Sequence, residues 1–171
     1  MEQATDGHWQ VTYLKNYRDY LDAVTPLHNE DIAKYSEATK NIVASYNEKL
    51  TAYKARFAAL SQTSSGTFTA EQKAGLEALV EKEVIPTLQA RQQELASVEV
   101  PPGARYLADQ RQRATELTLE AWQHFLTGIK NDDPDELALA ETLNKQELAV
   151  DLRVDDIIRH TAISRNIPNL P

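Results

Sequence analysis

Apolar residues recur at spacings of three and four along four long stretches of this chain, and three short breaks divide them. The breaks are Ser61 to Phe68, Val98 to Pro101 and Asn131 to Asp133. In the first stretch Ile32, Tyr35, Thr39, Ile42, Tyr46, Tyr53 and Leu60 form one seam, with Phe57 beside it. Such spacings place side chains on one face of a helix. Lys49 interrupts the seam, and the adjacent Leu50 can serve it. The second stretch carries Leu76, Leu79, Val80, Val84, Leu88, Leu95 and Val98. The third carries two adjoining rows: Leu107, Ala114, Leu117, Ala121, Phe125 and Gly128, and Leu119, Trp122, Leu126 and Ile129. Two rows mean a wide buried face. In the fourth, Leu139, Leu143, Val150, Val154 and Ile157 mark the buried side.

Local signals set the ends. The first helix is expected over residues 8–60, with a bend at 25–26, where Thr25 can cap a new helix that has Pro26 at its first position. The second is expected over 69–98, opened by a Thr69–Gln72 capping box and kinked near Glu83 to Pro86, because proline removes an amide donor. The third runs over 102–130 after Pro101-Pro102. The fourth runs over 134–166, with Asp133 as cap, Pro134 at the first position and Glu136 completing a capping box, and 167–171 form a tail. The segment Val150 to Asp155 also alternates like a strand, but no partner strand exists elsewhere, so helix is preferred. Rods of about 30 residues are about 45 Å long. Rods of that length with short joints predict an all-α fold: an antiparallel up-down four-helix bundle in one domain, with an N-terminal helical extension.

Composition narrows the partners. The 171 residues hold 18 basic and 26 acidic side chains, for a net charge of -8. An acidic surface repels phosphate, which argues against nucleic acid. The acid concentrates after Asn131, where nine acidic residues face four basic ones. There is no cysteine, which excludes disulfides, thiolate metal sites and cysteine nucleophiles. No apolar run approaches the ~20 residues that span a bilayer. The first seven residues do not read as a signal peptide, so a membrane tether is expected only through a removed N-terminus.

Candidate chemistry is sparse. Di-metal bundles use Glu-x-x-His, and no histidine here has Glu three residues before it. Glu120 with His124, and Asp156 with His160, are looser pairs at one-turn spacing. In a hairpin turning near Asp132 they lie about 28 Å apart along the axis, too far to share one ion. Each pair alone reads as a surface or second-layer contact. The acidic turn Asn131 to Glu136 lacks the glycine and distant glutamate of a calcium loop, and capping accounts for it. No nucleophile elbow or phosphate loop is present. No cofactor is expected. Trp9, Tyr13, Tyr17 and Tyr20 form a dense aromatic face on the extension, which either packs onto the bundle or receives a protein partner.

Pro101-Pro102, Tyr106, the helix ending Phe125-Leu126-Thr127-Gly128-Ile129, and then Asp132 to Leu137 resemble the helical hairpin of uncharacterised bacterial cell-envelope, lipoprotein-type helical bundles. The resemblance covers roughly residues 100–152 and implies an extracytoplasmic bundle with no reaction to carry over. Such proteins have a lipid-modified cysteine near the start, and this chain has none. The reading is a non-enzymatic extracytoplasmic bundle that binds a protein partner or scaffolds the envelope. The alternatives are a metal- or small-ligand-binding bundle, with Glu120, His124, Asp156 and His160 as ligands, and a cytosolic adaptor.

Overall fold

The computed structural model describes residues 8–62 and 68–165, except the side chains of 8–18, 20–23 and 165. Those residues form helices and joints, with no strand among them. Helix α1 spans His8–Leu60, α2 Ala70–Leu79, α3 Ile85–Ser97, α4 Arg105–Asn131 and α5 Pro134–Arg165. One turn of π-helix, Val80–Val84, joins α2 to α3 without a break, so the helices make four rods. Among the described residues, no helix is long and apolar enough to cross a membrane.

Two prolines behave differently from each other. α1 passes through Pro26 as one helix of 53 residues, so Thr25 does not cap a new one. Residues 25–28 are exposed, so the ring of Pro26 disturbs no buried packing. At Pro86 the disturbance takes the form of the π turn just before it, in which the Ile85 amide reaches back to the Val80 carbonyl. The apolar pattern asks for such a turn. Leu76, Val80, Val84 and Leu88 recur every fourth residue and all are fully buried. In a regular helix that spacing drifts by about 40° per step, and a wider turn removes part of the drift.

The remaining ends follow their local chemistry. Thr69 and Gln72 form the complete capping box, with bonds of 3.2 and 2.9 Å. A 3-10 turn, Pro102–Ala104, precedes α4 and docks on α1, where the Gly103 amide donates to Asp31 Oδ2 at 2.9 Å. Between α4 and α5, Asp132 adopts a left-handed conformation with φ 53°. Asp133 caps α5, accepting from the amides of Asp135 and Glu136 at 2.9 and 3.3 Å. The box expected with Glu136 does not close. The Asp133 amide donates to the Gly128 carbonyl at 3.0 Å, so it needs no partner from Glu136. The Glu136 carboxylate instead meets His124 Nδ1 at 2.5 Å.

The α4–α5 interface holds from that turn to the far end. Ala114, Leu117 and Ala121 pack with Leu143 and Val150, and Ala104 and Leu107 pack with Val154 and Tyr35. A third cluster joins Leu79, Val84 and Leu88 to Phe57, Leu60 and Trp122. On α5 the expected core position Leu139 is 42% exposed, and Ala140 is buried in its place. Polar ties join α1 to α3. Tyr46 Oη donates to Glu94 Oε1 at 2.8 Å, and Tyr53 lies 3.1 Å from Thr87.

Gly128 sets how closely α5 can approach. A Cβ there would lie 2.7 Å from Leu137 Cδ2 and 3.2 Å from the Asp133 carbonyl oxygen. Gly128→Ala is therefore expected to cost about 1–3 kcal/mol of unfolding free energy, read by urea titration. Unchanged stability would mean that this contact does not hold the turn.

Candidate functional site

The apolar stripes of the last three rods each skip one position, and an ionisable residue fills each gap. Arg91 stands between Leu88 and Leu95, Arg111 between Leu107 and Ala114, and Glu147 between Leu143 and Val150. All three line one cleft of about 850 Å³ with walls from α1, α3, α4 and α5. The α1 wall presents Asn47, Thr51 and Lys54, and the α5 wall presents Asn144, Glu147 and Asp151. Side chains that keep water cannot seal a dry interface, so α1 and α5 stay apart here. They pack together at one end, where Ile32 and Tyr35 join Val154, Ile157 and Ile158.

Arg111 is held rigidly. It is 4% exposed. Its Nη1 donates to Thr39 Oγ1, and its guanidinium carbon lies 5.7 Å from the centre of the Tyr35 ring. Thr39 is fixed in turn by donating to the Tyr35 carbonyl at 2.8 Å. Arg91 is less satisfied. It is half-buried, and its Nε is buried without a hydrogen-bond partner. Burial lowers the pKa of both guanidinium groups. Arginine nonetheless stays charged in proteins. Among the described residues, no ion pair reaches either guanidinium. Asp151 and Glu147 act on Arg91 through space only.

Opposite the arginines, burial pushes the Glu147 carboxyl up to about 7, and the negative charge of Asp151 one turn away adds to the effect. The cleft thus pairs two permanent cations with carboxylates, one of which is reluctant to ionise. Such an arrangement can bind an anionic group by charge-assisted hydrogen bonds.

A second hollow of about 350 Å³ adjoins the cleft and shares Phe57, Trp122 and Asn144 with it. Its lining is largely apolar. Phe57, Trp122 and Phe125 meet edge to face, with ring centres 5.1 to 5.8 Å apart. That spacing suits aromatic packing.

The candidates read from sequence are scattered. Glu120 lies 3.9 Å from Arg113, His124 meets Glu136, Asp156 pairs with Arg159, and His160 is exposed. Among the described residues, no group of three or more acidic, histidine or cysteine side chains could hold a metal ion. Trp9, Tyr13, Tyr17 and Tyr20 lie on the N-terminal part of α1, and their side chains fall outside the described residues. A count of what the stripes contain passes over Arg91, Arg111 and Glu147. The signal was the skipped positions. Comparison with known proteins finds no matching family model, no matching curated protein and no matching solved structure, so the site is read from its own geometry.

The raised Glu147 pKa fixes a direction with pH. Folded Glu147 holds its proton more tightly than the unfolded carboxyl, whose pKa is about 4.3. Its contribution is intact below that value and is lost as pH rises to about 7. Glu147→Gln should therefore gain stability over wild type as pH goes from 5 to 8. After solvent screening the gain should be on the order of 1 kcal/mol, or roughly 2–4 °C in Tm. Parallel Tm profiles for the two proteins would show that Glu147 titrates normally.

Proposed function

We propose that the chain is a non-enzymatic binding protein, an antiparallel up-down four-helix bundle whose open middle receives a small organic anion. The carrying observation is Arg91, a cleft-lining guanidinium with a buried, unpartnered Nε and no ion pair among the described residues. A buried donor without a partner costs free energy that a bound acceptor would recover. The order of contacts supports the arrangement. Partners on α3 and the π turn step backwards as α1 advances: Glu94 with Tyr46, Thr87 with Tyr53, Glu83 with Arg56. The resemblance over residues 100–152 supports a place in the cell envelope.

A second reading keeps a protein partner on α5. Leu148, Leu152 and Ile163 are 58–70% exposed on that helix, at spacings that bring them toward one side. Under this reading Leu152→Lys removes a cross-linked species without altering thermal unfolding. A persisting species would argue against that face.

Anilinonaphthalene sulfonate, an organic anion that fluoresces on leaving water, tests the main reading. Arg91→Met is expected to weaken its binding about tenfold or more, as loss of a buried charged contact should. The same variant should unfold at an equal or higher temperature than wild type without the probe, because it removes a half-buried cation whose buried Nε has no partner. Unchanged probe affinity, or a large drop in Tm, would assign Arg91 a structural role and overturn the proposal.

A further inference from the structure

The anion-binding reading can be sharpened, and this step rests on it. We infer that the ligand is a chain-bearing monocarboxylate, with its carboxylate on Arg91 and its tail lying in the aromatic hollow. The two cavities are neighbours. They share Phe57, Trp122 and Asn144, so a ligand seated in one has its next atoms beside the other. One cavity offers guanidinium donors, and the other offers Phe57, Trp122, Phe125 and Leu137. A polar end beside an apolar end is the shape of an amphipathic molecule.

Three features choose among amphipathic molecules. A guanidinium fork matches a planar carboxylate in two parallel hydrogen bonds. Asp151 and the reluctantly ionised Glu147 face the same cleft, and an added dianion would meet more repulsion from them than a monoanion, which disfavours a phosphate dianion. Length sets the tail. Arg91 lies on α3 between Glu94, which pairs with Tyr46, and Thr87, which meets Tyr53, so it sits near the level of Leu50 on α1, and Phe57 of the hollow follows on the same helix. Seven residues of helix rise about 10 Å. An extended chain advances about 1.3 Å per bond, so roughly eight bonds cover that distance. Medium-chain alkanoates fit; acetate is too short to reach the aromatic rings.

The groove also carries its own reporter. The chain has two tryptophans, Trp9 and Trp122, and Trp122 lines both cavities. In full-length protein with Trp9→Phe, emission therefore reads the junction of the two hollows. The titration uses acetate, hexanoate, octanoate and decanoate below their micelle thresholds, with decanol and decyltrimethylammonium as controls for the head. Decanoate is expected to shift Trp122 emission and raise Tm. Affinity should climb by up to roughly fourfold per added methylene until the hollow is filled. Arg91→Met should weaken decanoate at least tenfold. Asn144→Trp, at an exposed position shared by both cavities, should block decanoate while leaving hexanoate bound.

The failures separate. Arg91-dependent binding of short carboxylates and of anilinonaphthalene sulfonate, with no gain along the chain series, overturns the tail and keeps the anion site. Decanol or decyltrimethylammonium binding as tightly as decanoate overturns the carboxylate. No binding by any anion overturns both this inference and the reading beneath it.

Discussion

A guanidinium cannot be buried dry at neutral pH, and this constraint shapes the middle of the molecule. Arginine keeps its charge, and removing that charge from water costs several kcal/mol, on the order given by solvation arguments. This chain places two arginines on the inward stripes of neighbouring rods. One is satisfied by the Thr39 hydroxyl and the face of Tyr35. The other keeps a donor open. The rods answer by parting. α1 and α5 close where both are apolar, around Tyr35 and Val154, and separate where Asn47, Lys54, Glu147 and Asp151 face the gap.

A cleft of this kind needs a stiff frame, and the two ends of the bundle supply it differently. At one end Phe57, Trp122 and Phe125 lock together edge to face. Beside them the α4–α5 turn is tied by its own backbone, with the Asp133 amide returning to Gly128. At the other end the 3-10 turn at Pro102–Ala104 sits against α1 through Gly103 and Asp31. The opening therefore lies between two fixed points. Surface charge pairs such as Lys34–Glu30 and Lys145–Glu141 decorate the rods, and exposed pairs of this type add little to stability.

The rods were legible in the sequence because burial and periodicity are the same fact seen twice. The stripe of the second rod illustrates this: Leu76, Leu79, Val80, Val84, Leu88 and Leu95 are all buried. The exceptions have local causes. Leu139 gives way to Ala140, which faces the pocket wall beside Ala121 and Trp122. Pro26 does not break α1, because it stands at an exposed position of a long helix that tolerates one missing bond. The cleft was not legible by the same method. Periodicity says which side of a helix faces inward, but Arg91 and Glu147 enter such a count as interruptions. Whether an inward charge finds a partner depends on another rod, and that is a fact of packing. The pairing of His124 with Glu136 was hidden for a related reason: the turn backbone had already satisfied the amide that Glu136 was expected to serve.

The wide turn at Val80–Val84 leaves a trace in how this rod tolerates changes of length. A π turn holds one residue more than the α turn it replaces. Excising a single residue there would return the segment to ordinary α geometry with both flanks still in phase. The same excision at Gln92 or Gln93 would swing everything beyond it by about 100° around the axis. Leu95 would leave the core, while Arg91, upstream of the cut, would keep its aim. The rod thus carries one built-in slack link, placed before the cation.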